Sequence, residues 1–151
     1  MKILFVCTGN TCRSPMAEGL FREMLKEENI SSVEEISSAG INAIPHQLAS
    51  LNSIEAIGEK GVDLEAHKSQ MLTLDLVESF DLILTMTESH KKTILALVPW
   101  LDEKVFTLKE YVGQDGDISD PFGGSLSIYK ESLDDIEDSL KLLIEKINKE
   151  E

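Results

Sequence analysis

Residues 3–21 read ILFVCTGNTCRSPMAEGLF. The run Lys2–Cys7 is continuously apolar after its first residue and carries Ile and Val, the composition of a strand covered on both faces. A short polar loop holding Gly9 and Asn10 follows, and Ser14 and Pro15 then precede a helical pattern. Met16, Leu20 and Met24, with Ala17, Phe21 and Leu25 on the adjoining row, recur at a spacing of four and make one apolar face. Ser14 suits the N-cap, and Pro15 suits the first helical position, where its missing N–H costs nothing. The unit is therefore strand, loop, helix, with Cys7 at the tip of the strand and Arg13 six positions further on.

The pattern continues outward from this unit. Strands are expected at Glu35–Ala39, Phe80–Met86 and Lys104–Leu108. Helices are expected through Leu51, Ile54 and Ile57 to near Gly61, over Leu74–Ser79 and over Glu88–Val98. A polar loop runs from about Lys109 to Gly124, and Ser125 is placed to cap the last helix. In that helix Leu126, Tyr129, Leu133, Ile136, Leu140, Leu143 and Ile147 alternate steps of three and four, a stripe expected to face the sheet. Strands alternating with helices predict one three-layer α/β/α domain over residues 1–151, with right-handed crossovers and a four-stranded parallel sheet. With strand one inside the sheet the order is 2-1-3-4, and the switch point, where open α/β sheets bind ligands, falls at Cys7.

The totals bound the function. The 151 residues are 42% hydrophobic and 28% charged, a globular composition. A net charge of −14 disfavours nucleic acid and anionic membrane as partners. Two cysteines form no disulfide framework, and His46, His67 and His90 match no metal-ligand spacing, so no metal or cofactor is expected. The apolar run after Met1 is too short for a signal-peptide core or a membrane span, and a cytoplasmic, reducing location is expected.

The loop between strand and helix can gather anions. Its unpaired N–H groups and the helix dipole converge on one point, and Gly9 and Asn10 tolerate the positive φ that curls amides inward as a nest. Arg13 adds a planar cation that binds two phosphate oxygens at once. The same field favours the charged form of a thiol, the form that attacks phosphorus. Taken alone, Cys7 reads more readily as a small hydrophobe ending a strand. Cys-x5-Arg-Ser between a strand and a helix tips the reading towards chemistry. The spacing is neither a Walker A loop nor G-x-G-x-x-G.

With these residues in view, VCTGNTCRSP resembles the phosphate-binding loop of the low-molecular-weight protein tyrosine phosphatases, and Asp120-Pro121 resembles their general-acid motif. The resemblance spans essentially the whole chain. It implies that Cys7 is a nucleophile forming a phosphocysteine, and that Arg13 with the amides of Thr8, Gly9, Asn10, Thr11, Cys12 and Arg13 holds the phosphoryl oxygens. It implies further that Ser14 bonds the Cys7 sulfur, that Asn10 braces the loop, and that Asp120 protonates the leaving group and then activates water. Asp115 and Asp117 read as solvated loop charges. Cys12 has two readings: a partner that traps oxidised Cys7 as a reversible disulfide, or a small residue filling the loop.

Three features set this chain apart from the tyrosine-specific pattern. Thr11 stands where a bulky aliphatic residue is usual, Phe122-Gly123 follows Asp-Pro in place of a tyrosine pair, and the stretch INAIPHQL after Gly40 has no aromatic residue. With FTLKEYV and DPFGGSLSIYKES, these resemble the bacterial protein-arginine phosphatase branch of the family. That resemblance implies phosphoarginine-containing proteins as substrates and a protein arginine kinase as the opposing activity. A low-molecular-weight protein tyrosine phosphatase is the alternative. An arsenate reductase is disfavoured because no cysteine follows Cys12, and a non-catalytic phosphoresidue-binding module would not need Cys7, Ser14 and Asp120 together.

Overall fold

The computed structural model describes residues 1–150. Strand β1 (Lys2–Cys7) lies inside a four-stranded sheet of order β2-β1-β3-β4, with β2 at Glu35–Gly40, β3 at Leu82–Thr85 and β4 at Val105–Thr107. Every pairing is parallel, and Cys7 stands opposite Gly40 at the end of the β1–β2 ladder. The expected order is therefore realised, with β1 flanked on both sides at the switch point.

The two-residue period of the strands sorts the core into two layers. Ile3, Phe5 and Cys7 point to one face with Leu82 and Leu84, whereas Leu4 and Val6 point to the other with Ile83 and Val105. On the first face lie α1 (Arg13–Glu27), α2 (Leu51–Gly58) and α6 (Leu126–Glu150). The α6 stripe joins the core beneath that face with Ile3, Phe5, Leu82 and Leu84, and α6 packs along α1 and α2 as well. Phe5 meets Phe21 edge to face, with centroids 5.8 Å apart. The second face is covered by α3 (Leu74–Ser79) and α4 (Glu88–Leu97). Among the described residues, no helix is long and apolar enough to cross a membrane.

Four local expectations are corrected. Helix α1 begins at Arg13 with Cys12 at its N-cap, so Ser14 and Pro15 lie inside the first turn. Ser14 is free of the capping role because its hydroxyl is engaged by Cys7. Helix α2 stops at Gly58, and Gly61 takes a left-handed φ of 81° beyond it. The segment after β4 is not all loop: Leu108–Tyr111 forms α5, closed by a capping box between Thr107 and Glu110. Asp117 is not a free loop charge either, since its Oδ1 accepts the backbone N–H of Glu88 (2.9 Å) at the α4 N-terminus. Ser125 does cap α6, accepting from the Ile128 N–H at 3.4 Å.

Candidate active site

The loop 8–12 is held from outside by its carbonyls. Cys7 O accepts from Ile41 N (2.9 Å), Thr8 O from Asn42 N (2.9 Å) and Thr11 O from Ser50 N (2.9 Å). The Asn10 carbonyl accepts from His67 Nε2 at 2.8 Å. In a planar trans peptide the N–H points opposite to the C=O. Carbonyls turned outward therefore leave the amides of Thr8, Gly9, Thr11 and Cys12 turned towards the loop centre, beside the α1 N-terminus. The left-handed residue that makes this turn is Asn10, with φ 58°. Gly9 does not share that conformation, and a Cβ there would meet only Thr11 Oγ1 at 3.8 Å, so the expectation of positive φ at both residues holds for Asn10 alone.

The side chain of Asn10 is fully buried and its orientation is fixed by its partners. The Gln70 N–H donates to Asn10 Oδ1 (2.9 Å), so the amide nitrogen faces the other way and donates to Ser14 Oγ and Ser38 Oγ, both at 2.9 Å. Ser14 Oγ accepts that bond and lies 2.8 Å from Cys7 Sγ, so its proton is available to the sulfur when Cys7 is a thiolate. Ser38 passes its proton to Glu18 Oε1 (2.6 Å), whose other oxygen pairs with Arg22 at 2.8 Å. A chain of bonds thus runs from the backbone of residue 70 through Asn10 and Ser14 to the Cys7 sulfur.

Gly40 supports the loop from behind. A Cβ there would lie 2.5 Å from Thr8 O and 2.9 Å from Asn10 N, both backbone atoms. Only glycine admits this approach.

Above the loop opens a cavity of about 350 Å³, a usual size for a small-ligand site. Cys7, Thr8, Gly9, Thr11, Cys12 and Arg13 form its floor, Asn42, Ile44 and Gln47 one wall, and Asp120 and Phe122 the other. Arg13 is buried, with Nη1 donating to Ile118 O (2.9 Å) and Nη2 lying 3.6 Å from Asp120 Oδ2. Asp120 is half exposed, and its Oδ1 accepts the Phe122 N–H at 3.1 Å, which sets the turn. Phe122 is 78% exposed and is the one aromatic residue lining the cavity. The Cys12 sulfur lies 3.5 Å from both Ser50 Oγ and Tyr129 Oη. Burial, then the Cys12 contact, pushes the Tyr129 phenol above its ordinary value. Both cysteines are free and buried.

All ten residues singled out in the sequence meet here. Those it missed are Asn42, Ile44 and Gln47 on the wall and Ser38, Gln70, His67 and His90 behind it. His90 Nε2 stands 2.9 Å from Thr8 Oγ1. Testing the histidines only for metal spacing hides them. The usable signal for Asn42, Ile44, Gln47 and His90 is position, since each follows the C-terminal end of a parallel strand, whereas Ser38 lies within β2 and His67 and Gln70 lie between α2 and α3.

A doubly covered parallel sheet with an anion-cradling loop, a buried arginine and a serine-bonded cysteine at its switch point defines a cysteine-centred phosphoryl site. The family pattern described as low molecular weight phosphotyrosine protein phosphatase matches residues 2–151, and the chain belongs to that family. It is 47% identical over 151 residues to the protein-arginine-phosphatase of Bacillus subtilis, covering 99% of each chain. It is 40% identical over 147 residues to the low molecular weight protein-tyrosine-phosphatase PtpB of Staphylococcus epidermidis, covering 97% of this chain and 96% of that one. It superimposes with a TM-score of 0.93 on the YwlE arginine phosphatase, a mutant with a phosphorylated active-site serine. That structure is 47% identical, with 99% of this chain and 97% of that one covered.

Proposed function

We propose that the enzyme is a protein-arginine phosphatase that works through a phosphocysteine. The observation that carries the mechanism is the 2.8 Å bond from Ser14 to the Cys7 sulfur at the centre of the inward-facing amides. In the first step the Cys7 thiolate attacks phosphorus as the P–N bond breaks. Asp120 gives its proton to the departing guanidine nitrogen, and arginine leaves. In the second step Asp120 takes a proton from water, the water oxygen bonds phosphorus, and the S–P bond breaks to release phosphate and the thiolate. Arg13 and the amides of residues 8–13 stabilise the charge spread over the equatorial oxygens in both steps. The Ser14 hydroxyl stabilises the sulfur as it leaves.

The preference for phosphoarginine rests on the cavity's walls and on the similar relatives that bear that activity in their names. Thr11 keeps the mouth open and polar beside the P–N bond, where an aliphatic side chain would crowd a planar guanidinium. Asp120 faces a leaving group that carries charge and accepts from it. Guanidine is also a far more basic leaving group than phenol, with a pKa above about 12 against about 10, which places more demand on Asp120. Phe122 offers a face to a guanidinium. The tyrosine phosphatase reading is favoured by the PtpB relatives at 40% identity. A reducing, cytoplasmic setting with an opposing arginine kinase completes the proposal, together with a redox switch in which peroxide oxidises the Cys7 thiolate to a sulfenic acid and the Cys12 thiol displaces water from it to form a reversible Cys7–Cys12 disulfide.

The test is paired turnover of phosphoarginine and phosphotyrosine proteins, with Cys7→Ser as the blank. The enzyme should favour phosphoarginine, and Thr11→Ile should shift it towards phosphotyrosine. Preference for phosphotyrosine in the unaltered enzyme, or selectivity indifferent to Thr11→Ile, defeats the arginine reading.

A further inference from the structure

His90 belongs to the first turn of α4, yet it reaches across the sheet edge to the loop beside the nucleophile. Its Nε2 lies 2.9 Å from Thr8 Oγ1, and its Nδ1 is a buried polar atom with no hydrogen-bond partner among the described residues. That lone nitrogen decides the tautomer. A proton on Nδ1 would leave an N–H donor buried and unmatched, which proteins avoid more strictly than an unmatched acceptor. The proton therefore sits on Nε2, and the imidazole donates to Thr8. The ring is kept neutral: burial first, then the Arg13 guanidinium, lowers its pKa from 6.5 to about 4, against the opposing pull of Asp117 and Asp120.

Thr8 is exposed at the floor of the cavity. Its hydroxyl has two lone pairs and one proton. With one lone pair taken by His90, the hydroxyl keeps a second lone pair that can be turned to the cavity. A guanidinium leaving group has N–H bonds to give to such an acceptor, and a phenolic leaving group has none.

We propose that Thr8 is a specificity-determining residue whose hydroxyl oxygen accepts an N–H of the phosphoarginine guanidinium, and that His90 is the positioning residue that holds it there. This deepens the arginine phosphatase reading and rests on it. A site built to bond a substrate N–H discriminates strongly against a substrate that lacks it.

The experiment measures kcat/KM for a phosphoarginine peptide and for a phosphotyrosine peptide of the same flanking sequence, and reads their ratio. Thr8→Val and His90→Phe should each lower the phosphoarginine preference about tenfold or more, the gain expected of one hydrogen bond to a charged group. The double variant should lose no more than either single one, because both remove the same bond. His90→Gln, whose amide N–H reaches the same position, should recover the ratio to within about threefold of the starting enzyme. An unchanged ratio in Thr8→Val, losses that add in the double variant, or no recovery with Gln would each overturn the inference. Thr8 is exposed, so its variant decides the matter even if His90→Phe does not fold. A starting enzyme that prefers the phosphotyrosine peptide overturns the arginine reading and this inference together. A starting preference for phosphoarginine that Thr8→Val leaves intact overturns the inference alone.

Discussion

Asn10→Ala removes the residue on which the loop turns. Three side-chain hydrogen bonds are lost: two donated to Ser14 and Ser38 and one accepted from Gln70, all at 2.9 Å in a fully buried site. At about 1 kcal/mol net for each, they account for about 3 kcal/mol. The φ of 58° adds about 1 kcal/mol, because alanine lacks asparagine's tolerance of the left-handed region. The expected loss is therefore about 4 kcal/mol, a large share of a stability of roughly 5–15 kcal/mol. Asn10→Gly keeps the backbone conformation and should lose about 1 kcal/mol less than alanine. Urea unfolding of the three proteins measures this, and the alanine midpoint should fall by about 2 M. Aryl phosphate turnover should fall about a hundredfold in the alanine variant, because Ser14 and the loop amides lose their orientation together. A loss below about 1 kcal/mol, or glycine behaving worse than alanine, would refute the bond chain and the strain argument respectively.

Gly40→Ala should destabilise the protein by about 2 kcal/mol and cut kcat/KM at least about tenfold, since its methyl must push loop backbone rather than a side-chain tip. Urea melts and turnover check both, and a silent variant would show that the loop yields freely. Leu133→Ala, fully buried on α6 and remote from the cavity, should cost about 3 kcal/mol while kcat of the folded fraction stays unchanged. A pH series checks the sign of the His90 effect. The unfolded imidazole binds its proton near pH 6.5 and the folded one only near pH 4, so stability is intact at neutral pH and lost as pH falls through that window. Relative to His90→Gln, the unaltered enzyme should lose about 2 kcal/mol between pH 7 and pH 4.5, and a constant gap between the two melting series would contradict it.

Two of the places where sequence and structure part company, Ser14 and Asp117, share a tertiary cause, whereas α5 does not. Ser14 satisfies every rule for an N-cap, yet a sulfur 2.8 Å away claims its hydroxyl, and the helix starts two residues earlier. Asp117 has the composition of a solvated loop, and only the approach of α4 gives it an N-terminus to cap. Thr107 and Glu110 do form a capping box that the sequence spells out, and α5 was legible in it. His67 and His90 lie 57 and 82 positions from the loop residues they bond, beyond the reach of any local pattern.

The sequence by itself determines the α/β alternation, the anion-gathering loop with Cys7 and Arg13, and the pairing of that loop with Asp120-Pro121. These are set by local periodicity, by spacing within a single turn of chain and by matching motifs, all of which survive without coordinates. Only the tertiary structure decides which proton goes where. The turn of the Asn10 amide, the donor to Cys7 and the hydrogen on His90 each depend on groups that crossovers bring together from distant segments, because a hydrogen bond has a direction and its partner must be in place before that direction is fixed.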